Sequence, residues 1–516
     1  MRAPLQAQPR KRQKTPSLPK KQPNPPATVP SVTKNPDRPE TTMPTVPTQT
    51  TTESTPPVVT PPEEIISSNL VFTSNGDGTC YVSGKGSSPD PVIVIPSKSP
   101  NGDRVTAIGK YAFKETYGIK QVVIPESVTE IGDAAFFYCE ELKAVSLSDT
   151  LTKIGNSAFL GTNLKSISIP DGITEISDGT FSKCKFLESV HLPDTLTRIG
   201  ASAFEGCGLT SIDLPESVTE IGVSAFAGCH ITSIALPHGI TEIAAYTFSS
   251  CPITGIIIPT GITSIGSNAF QGCLFLTYIS LPETVSSIGK DAFLHVPTEV
   301  YTVYDGAYYL GNWKNPHHIL IQAIDKNIDS CQIHENTKVL APGAFQSCKN
   351  LTEITVPNHI YRIPSSAFAS SGLRRVTIEY GITEIESSAF DNCGLLEAII
   401  IPGSVLTIGK SAFSRCSKLE SVMIEEGIQS IEDSAFSMTD LLDTITLPKT
   451  LTSIGKLMFY CSGDLQDITY NGTKAQWNAL PKGSDWDYSM GGRDGGGYIS
   501  ASYTVHCADG DIYVNR

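Results

Sequence analysis

The chain has 516 residues, with 38 Lys and Arg against 52 Asp and Glu, a net charge of −14, 40% hydrophobic residues and 17% charged residues. That hydrophobic share supports a folded body, and the acidic balance argues against nucleic acid as a partner, because phosphate backbones demand surfaces rich in Lys and Arg. No run of 18 apolar residues occurs, so no transmembrane helix is expected.

Residues 1–66 hold 16 of the 36 prolines, with Thr, Lys and Gln between them. They show no apolar period and cannot bury a core, so a disordered Pro/Thr-rich tether is expected there. They carry nine Lys and Arg and five Asp and Glu, a balance of +4, which leaves −18 on the rest of the chain. Residues 67–108 read as an N-terminal hairpin cap. Asn75-Gly76-Asp77-Gly78 supplies its turn, and Val92 to Ile95 opens the first strand of a stack. The EF-hand's bidentate Glu is missing at the required spacing, so that Asn/Asp cluster reads as a turn and not a calcium site.

From Phe113 onward one signal dominates. Phe113, Phe136, Phe159, Phe181, Phe204, Phe226, Phe248, Phe270 and Phe293 follow each other at steps of 22 or 23 residues, and the series resumes as Phe345, Phe368, Phe390, Phe413, Phe436 and Phe459. A period this strict predicts a solenoid, in which each unit buries its apolar face against its neighbours. Residues 109–293 form a first array and residues 341–464 a second. In one unit, Ile212 and Leu214 lie two apart and share the inward face of a short strand, while Asp213 points out. Pro215 ends that strand, because it has no N–H to donate. Val218 and Ile221 turn inward next, Gly222 frees a bend, and Ser224-Ala225-Phe226 suits a short helical or 3-10 turn.

Residues 294–340 interrupt the period. Tyr301 to Gly311 and His318 to Gln322 read as a hairpin and a strand, with His317 and His318 expected on the surface of the insert. Residues 465–516 form a C-terminal cap: a strand at Ile468 to Tyr470, an aromatic lid at Trp477, a Gly-rich turn at Gly491 to Gly497, and a closing strand at Tyr503 to Val505.

Cys139, Cys184, Cys207, Cys229, Cys251, Cys273, Cys348, Cys393 and Cys416 each stand three residues after a repeat Phe; Thr116, Thr162, Val296, Ser371 and Thr439 hold the same place in other units. All are small, so the row reads as compact buried side chains. A partial row of disulfides between neighbouring rungs is the alternative. No CxxC or Cys/His zinc spacing occurs.

The repeat, in segments such as Ser211-Ile212-Asp213-Leu214-Pro215 and Thr219-Glu220-Ile221-Gly222-Val223-Ser224-Ala225-Phe226, resembles the BspA-type leucine-rich repeats. That resemblance implies a β-rich leucine-rich-repeat solenoid. It also implies a non-catalytic adhesion or binding protein, secreted or held at the cell surface, whose ligand is a protein or glycan. No export signal is visible in the chain, so this placement rests on the resemblance. A structural protein that self-associates by lateral packing of its arrays is the alternative. A glycan-processing accessory, or an enzyme built on the insert, is a third reading.

Catalysis would need convergent polar residues that break the repeat. HExxH, GxSxG and phosphate-loop motifs are absent, and the recurring carboxylates, such as Glu216 and Glu220, are rim positions present in many copies. No catalytic residue, metal or cofactor is therefore expected. The variable positions are the outward strand residues. Along them His191, Asp213, Ile257, Tyr278, Arg375, Ile400 and Met423 depart from a background of small polar side chains and form the candidate ligand face.

Overall fold

The computed structural model describes residues 66–462, 465–488, 493–494, 497–498 and 502–515. The expected tether, residues 1–66, falls almost wholly outside them.

Most units contribute short strands to two sets of parallel ladders, each divided into several sheets along the solenoid. The first ladder contains the strands predicted from the Ile-x-Leu pattern. Val92–Val94 pairs with Gln121–Val123, which pairs with Ala144–Ser146, and Ser166–Ser168 pairs with Ser189–His191. In the second array the same face runs Ala398–Ile401, Ser421–Ile424, Thr444–Leu447 and Asp467–Tyr470. The pattern places Ile212 inward and Asp213 outward as predicted, yet no strand forms at 211–213 or 233–235. The break falls within consecutive 22-residue steps from Phe204 to Phe270, where the loop after Cys is one residue shorter (Cys207-Gly208-Leu209 against Cys184-Lys185-Phe186-Leu187). A second ladder is built from the Glu-Ile dipeptides: Glu175–Ile176, Arg198–Ile199 and Glu220–Ile221 pair in register.

Between these ladders lies the Ala-Phe turn, which is not a helix. Residues two before and two after each Phe have positive φ, as at Ser224 (58°) and Gly228 (67°). The turn closes bonds from residue i+3 to i, Ala225 N to Gly222 O and Cys229 N to Phe226 O, but the left-handed residues stop it from propagating as a helix. This conformation directs alternate N–H groups along the solenoid axis. Ser224, Phe226 and Gly228 donate to Ala245, Thr247 and Ser249 of the next unit at 2.9, 3.1 and 2.8 Å. The same three bonds link Phe units from Phe113 to Phe293 and from Phe345 to Phe459. They offset the strain of the positive-φ residues. Gly222 itself does not have positive φ. It is needed for close approach, since a Cβ there would stand 2.6 Å from the Ala201 nitrogen.

Inside, the Phe rings stack in a column, with centroids 5.7 Å apart for Phe204 and Phe226 and interplanar angles of 3°. Beside it the column cysteines are buried reduced thiols, not disulfides. All of them but Cys348, which opens the second array, donate to a carbonyl of the preceding rung, as Cys207 Sγ does to Phe181 O at 3.0 Å and Cys229 Sγ to Phe204 O at 3.0 Å. Burial pushes the Cys184 thiol up to about 11 and Cys229 to about 12. Thiolate, the reactive form, is therefore scarce at neutral pH.

The insert is more than a hairpin on the surface. Thr302–Tyr304, Ala307–Leu310 and Ile319–Ala323 form an antiparallel meander, and the last of these pairs parallel with Val339–Leu340 of the next unit. Alternation along these strands sends side chains to two separate cores. Leu310, Ile319 and Val339 pack with the first array, while Ala307, Tyr309, Leu320 and Leu340 pack with the second. A four-stranded partition therefore replaces the continuous apolar spine that the period implies.

The described residues reach both ends of the stack, although most of the Gly-rich stretch at Gly491 to Gly497 lies outside them. Val71–Ser74 and Thr79–Gly84 form the hairpin, whose second strand heads the Glu-Ile ladder through Arg104–Ile108. At the far end, Tyr503–Cys507 extends the first ladder. Trp486 covers the last ring, with Phe459 N bonded to Trp486 O at 3.0 Å. A helix the strand-and-lid reading lacks, Lys474–Ala479, starts on a capping box between Thr473 and Gln476.

Candidate functional site

The outward strand positions form a parallel sheet surface, interrupted at 211–213 and 233–235, and every residue singled out in the sequence is exposed on it or in line with it. His191 and Asp213 are exposed on consecutive units. Ile257 and Tyr278 are 60% and 52% exposed and lie on paired strands. The Tyr278 ring lies against Gly255, where an added Cβ would meet its Cδ1 at 3.9 Å. Arg375 pairs with Glu353, its register partner, at 3.1 Å. Ile400 and Met423 are direct register partners, 56% and 51% exposed. The fold thus gathers two apolar pairs and one ion pair on this face, spread over separate parts of the array and converging on no pocket. In chemical terms the face offers shallow apolar contact and hydroxyl hydrogen bonding.

The partition adds features that the repeat pattern hides. Trp313 is 86% exposed. Its loop is fixed by Asn312, whose side-chain oxygen accepts from the N–H groups of Lys314 and Asn315 and whose Nδ2 donates to Leu281 O at 3.1 Å. An exposed Trp on a pinned loop is an apolar anchor for a partner. The signal was there in the chain: one of only three tryptophans, set among Asn and Lys.

The histidines of the insert are not on its surface. His318 is buried, at 2% exposure, with Nε2 bonded to Val285 O at 2.8 Å. It stands immediately before the strand Ile319–Ala323, where the chain enters the partition, and is buried with the first residues of that strand. His317 is half-buried and stacks on His334 with ring centroids 3.9 Å apart. Tyr304 and Tyr309 wall the pair. The N–H of Asn336 donates to His334 Nδ1 at 3.1 Å, which requires that nitrogen to be unprotonated. Burial first, then the facing His334, hold His317 below the usual imidazole range; burial, then Lys338, do the same for His359.

The unfolded chain therefore binds more protons below its own imidazole value of about 6.5. The stabilisation by neutral His317 and His359 is complete above that pH and declines as pH falls toward their folded values. His506 at the C-terminal cap works in the opposite sense, raised by Asp511 and Asp467, but it is exposed and screened. We expect the urea midpoint of the partition to fall between pH 7.5 and pH 5.5. Replacing His334 with Gln should flatten that fall, and a pH-independent midpoint in the parent would contradict the assignment.

Two clefts flank the partition. One, of about 280 Å³, lies between Ser287 and Lys290 on one side and Pro342, Arg362 and Ser365 on the other. The second, of about 270 Å³, lies between residues 288–296 and residues 341–346. Among the described residues no cluster of His, Cys, Asp or Glu could hold a metal ion, and no helix is long and apolar enough to cross a membrane.

Comparison with known proteins agrees with this architecture. The family model described as the BspA type leucine rich repeat region (6 copies) matches residues 106–230, 197–313 and 338–466. Among solved structures, the chain is similar to a leucine-rich repeat protein from Bacteroides ovatus, with 24% identity, 79% of this chain and 94% of that chain covered, and a TM-score of 0.40. It is similar to a leucine rich cell surface protein from Faecalibacterium prausnitzii, with 26% identity, 82% and 98% covered, and a TM-score of 0.28. It is also similar to the pneumococcal vaccine antigen PcpA, with 19% identity, 83% and 98% covered, and a TM-score of 0.32. No curated protein matches the chain. Two interrupted runs of the same 22- or 23-residue unit, with their paired ladders and stacked Phe column, thus identify the chain as a member of the BspA-type leucine-rich repeat family.

Proposed function

We propose that the chain is a non-catalytic cell-surface binding protein that engages a protein or glycan through the outward face of its first strand ladder. The observation that carries this reading is the pair Ile400 and Met423. Two apolar side chains stand side by side on a sheet face where Ser and Thr are the commonest residues, each more than half exposed. Water contact with that area is unfavourable by about 25 cal/mol per Å², and covering it is what a partner would supply. Ile257 with Tyr278 forms a second such patch, and Trp313 a third anchor outside the ladder. A glycan would use the aromatic faces of Tyr278 and Trp313. A protein would use all three.

The test is surface plasmon resonance of the full chain against immobilised host matrix proteins and mucin. The double variant Ile400→Ser/Met423→Ser should bind at least tenfold more weakly, with an unchanged urea midpoint, because exposed substitutions shift stability by no more than about 0.5 kcal/mol. No binding by the parent, together with oligomers that grow with concentration in light scattering, would favour the assembly reading instead.

A further inference from the structure

The turn ladder breaks once, and the break has a definite chemical character. In every unit from Phe113 to Phe270 the N–H groups two before, at, and two after Phe donate to the next unit. At the end of the first array the equivalent N–H groups of Asp291, Phe293 and His295 have no acceptor among the described residues. Asp291 and His295 keep the positive φ of their counterparts, 56° and 61°, so these groups are still aimed along the axis. The unit that should accept from them is absent, because the chain enters the partition instead.

Across the gap stands the first turn of the second array. By their place in the repeat, the carbonyls of Pro342, Ala344 and Gln346 point back toward it. Ala344 O is taken by the N–H of Ala323 at 2.9 Å, whereas Pro342 O and Gln346 O accept nothing among the described residues. The second cleft lies between these two walls, with Ile321 and Gln322 among its lining. At about 270 Å³ it sits near the lower bound for ligand pockets, too small for a folded element and suited to a short stretch of chain.

One wall of aligned donors and one of free acceptors match a peptide backbone, whose alternate residues present carbonyl and N–H groups to either side. Lys290 and Lys326 border the cleft against a single carboxylate, Asp291, so an acidic side chain is favoured. The chain's own residues 1–66, with 16 prolines, are a poor source of regular N–H donors. We propose that this gap is a receptor for one extended peptide segment of a partner protein, bearing an acidic side chain, which docks as the turn-ladder rung that the array lacks. The site is separate from the strand face and does not depend on the reading given for it.

A library of random 12-residue peptides displayed on phage, panned against the full chain, tests this. Enriched peptides should contain Asp or Glu and bind in solution by fluorescence anisotropy. They should slow amide exchange across residues 290–296, and they should lose at least tenfold in affinity against Lys326→Glu and against Gln346→Trp, which fills the cleft. Methylating the nitrogens of alternate peptide residues should abolish binding. Ile400→Ser/Met423→Ser should leave it unchanged, which separates this site from the strand face. The proposal is overturned if no peptide is enriched, or if enriched peptides bind both variants as they bind the parent. It is also overturned if removing residues 1–65 raises peptide affinity tenfold, since the occupant would then be the chain's own N-terminal segment.

Discussion

Replacing Phe226 with Ala is expected to destabilise the first array by about 4 kcal/mol, the middle of the range for a buried ring. Phe226 is fully buried and lies between Phe204 at 5.7 Å and Phe248 at 5.9 Å, nearly parallel to both. The site cannot collapse around the missing ring. Backbone bonds above and below it, Phe204 N to Ala225 O and Phe226 N to Thr247 O, hold the rungs at their spacing. The cavity therefore stays open, and two ring contacts disappear together. In urea the array's midpoint should drop by roughly 1.3–4 M, taking a slope of about 1–3 kcal/mol per M. Phe293→Ala gives the internal comparison. That ring has one stacking partner, Phe270 at 5.3 Å, and is already 5% exposed, so its loss should be smaller by about 1 kcal/mol. Equal losses at the two positions would show that stacking between units adds nothing beyond burial, and would count against the nearest-neighbour picture of this solenoid.

The same contrast explains what could be read from the residues. The Phe column, the inward Ile and Leu positions and the small residues after Phe are fixed by burial, which leaves a strict apolar period. The hairpin Val71–Ser74 and Thr79–Gly84 left its signal in the Asn75-Gly76-Asp77-Gly78 cluster between two alternating strands. The left-handed turn was harder, although its signal is present: Ser157, Ser202, Ser224, Asn268 and Ser366 stand two before Phe, and Gly161, Gly206, Gly228 and Gly272 two after. Those residue types also suit the start and end of a short helix, and period alone does not separate the two. The partition was legible only as an interruption. Whether Tyr309 and Leu310 share a core depends on strand pairing across the insert, and a two-residue period within four residues does not fix which neighbour each face meets. The ligand face stands between these cases. Exposure of Ile257, Ile400 and Met423 follows from alternation, whereas Trp313 belongs to no repeat, and its rarity in the chain marked it without fixing its exposure.

Replacing Tyr309 with Ala should separate the unfolding of the two arrays. Tyr309 is the largest fully buried side chain in the partition, on the side of the second core, while its neighbour Leu310 faces the first. Its hydroxyl accepts from the N–H of His334 at 3.4 Å, and its ring lies 5.3 Å from His317. Truncation opens a cavity in the second core, leaves that N–H unpaired and removes one wall of the stacked histidines. The expected loss is about 4 kcal/mol, of which Tyr309→Phe should show only about 1 kcal/mol, the share of the hydroxyl. Because the partition gives each array its own core, the loss should fall on the second array alone. Amide exchange in increasing urea would read this directly. Peptides from residues 345–459 should open at lower urea in Tyr309→Ala, and those from residues 113–270 should keep the parent's midpoint. Leu310→Ala should do the reverse. If either substitution moves both arrays by the same amount, the strands between them do not divide the core, and the chain unfolds as one continuous stack.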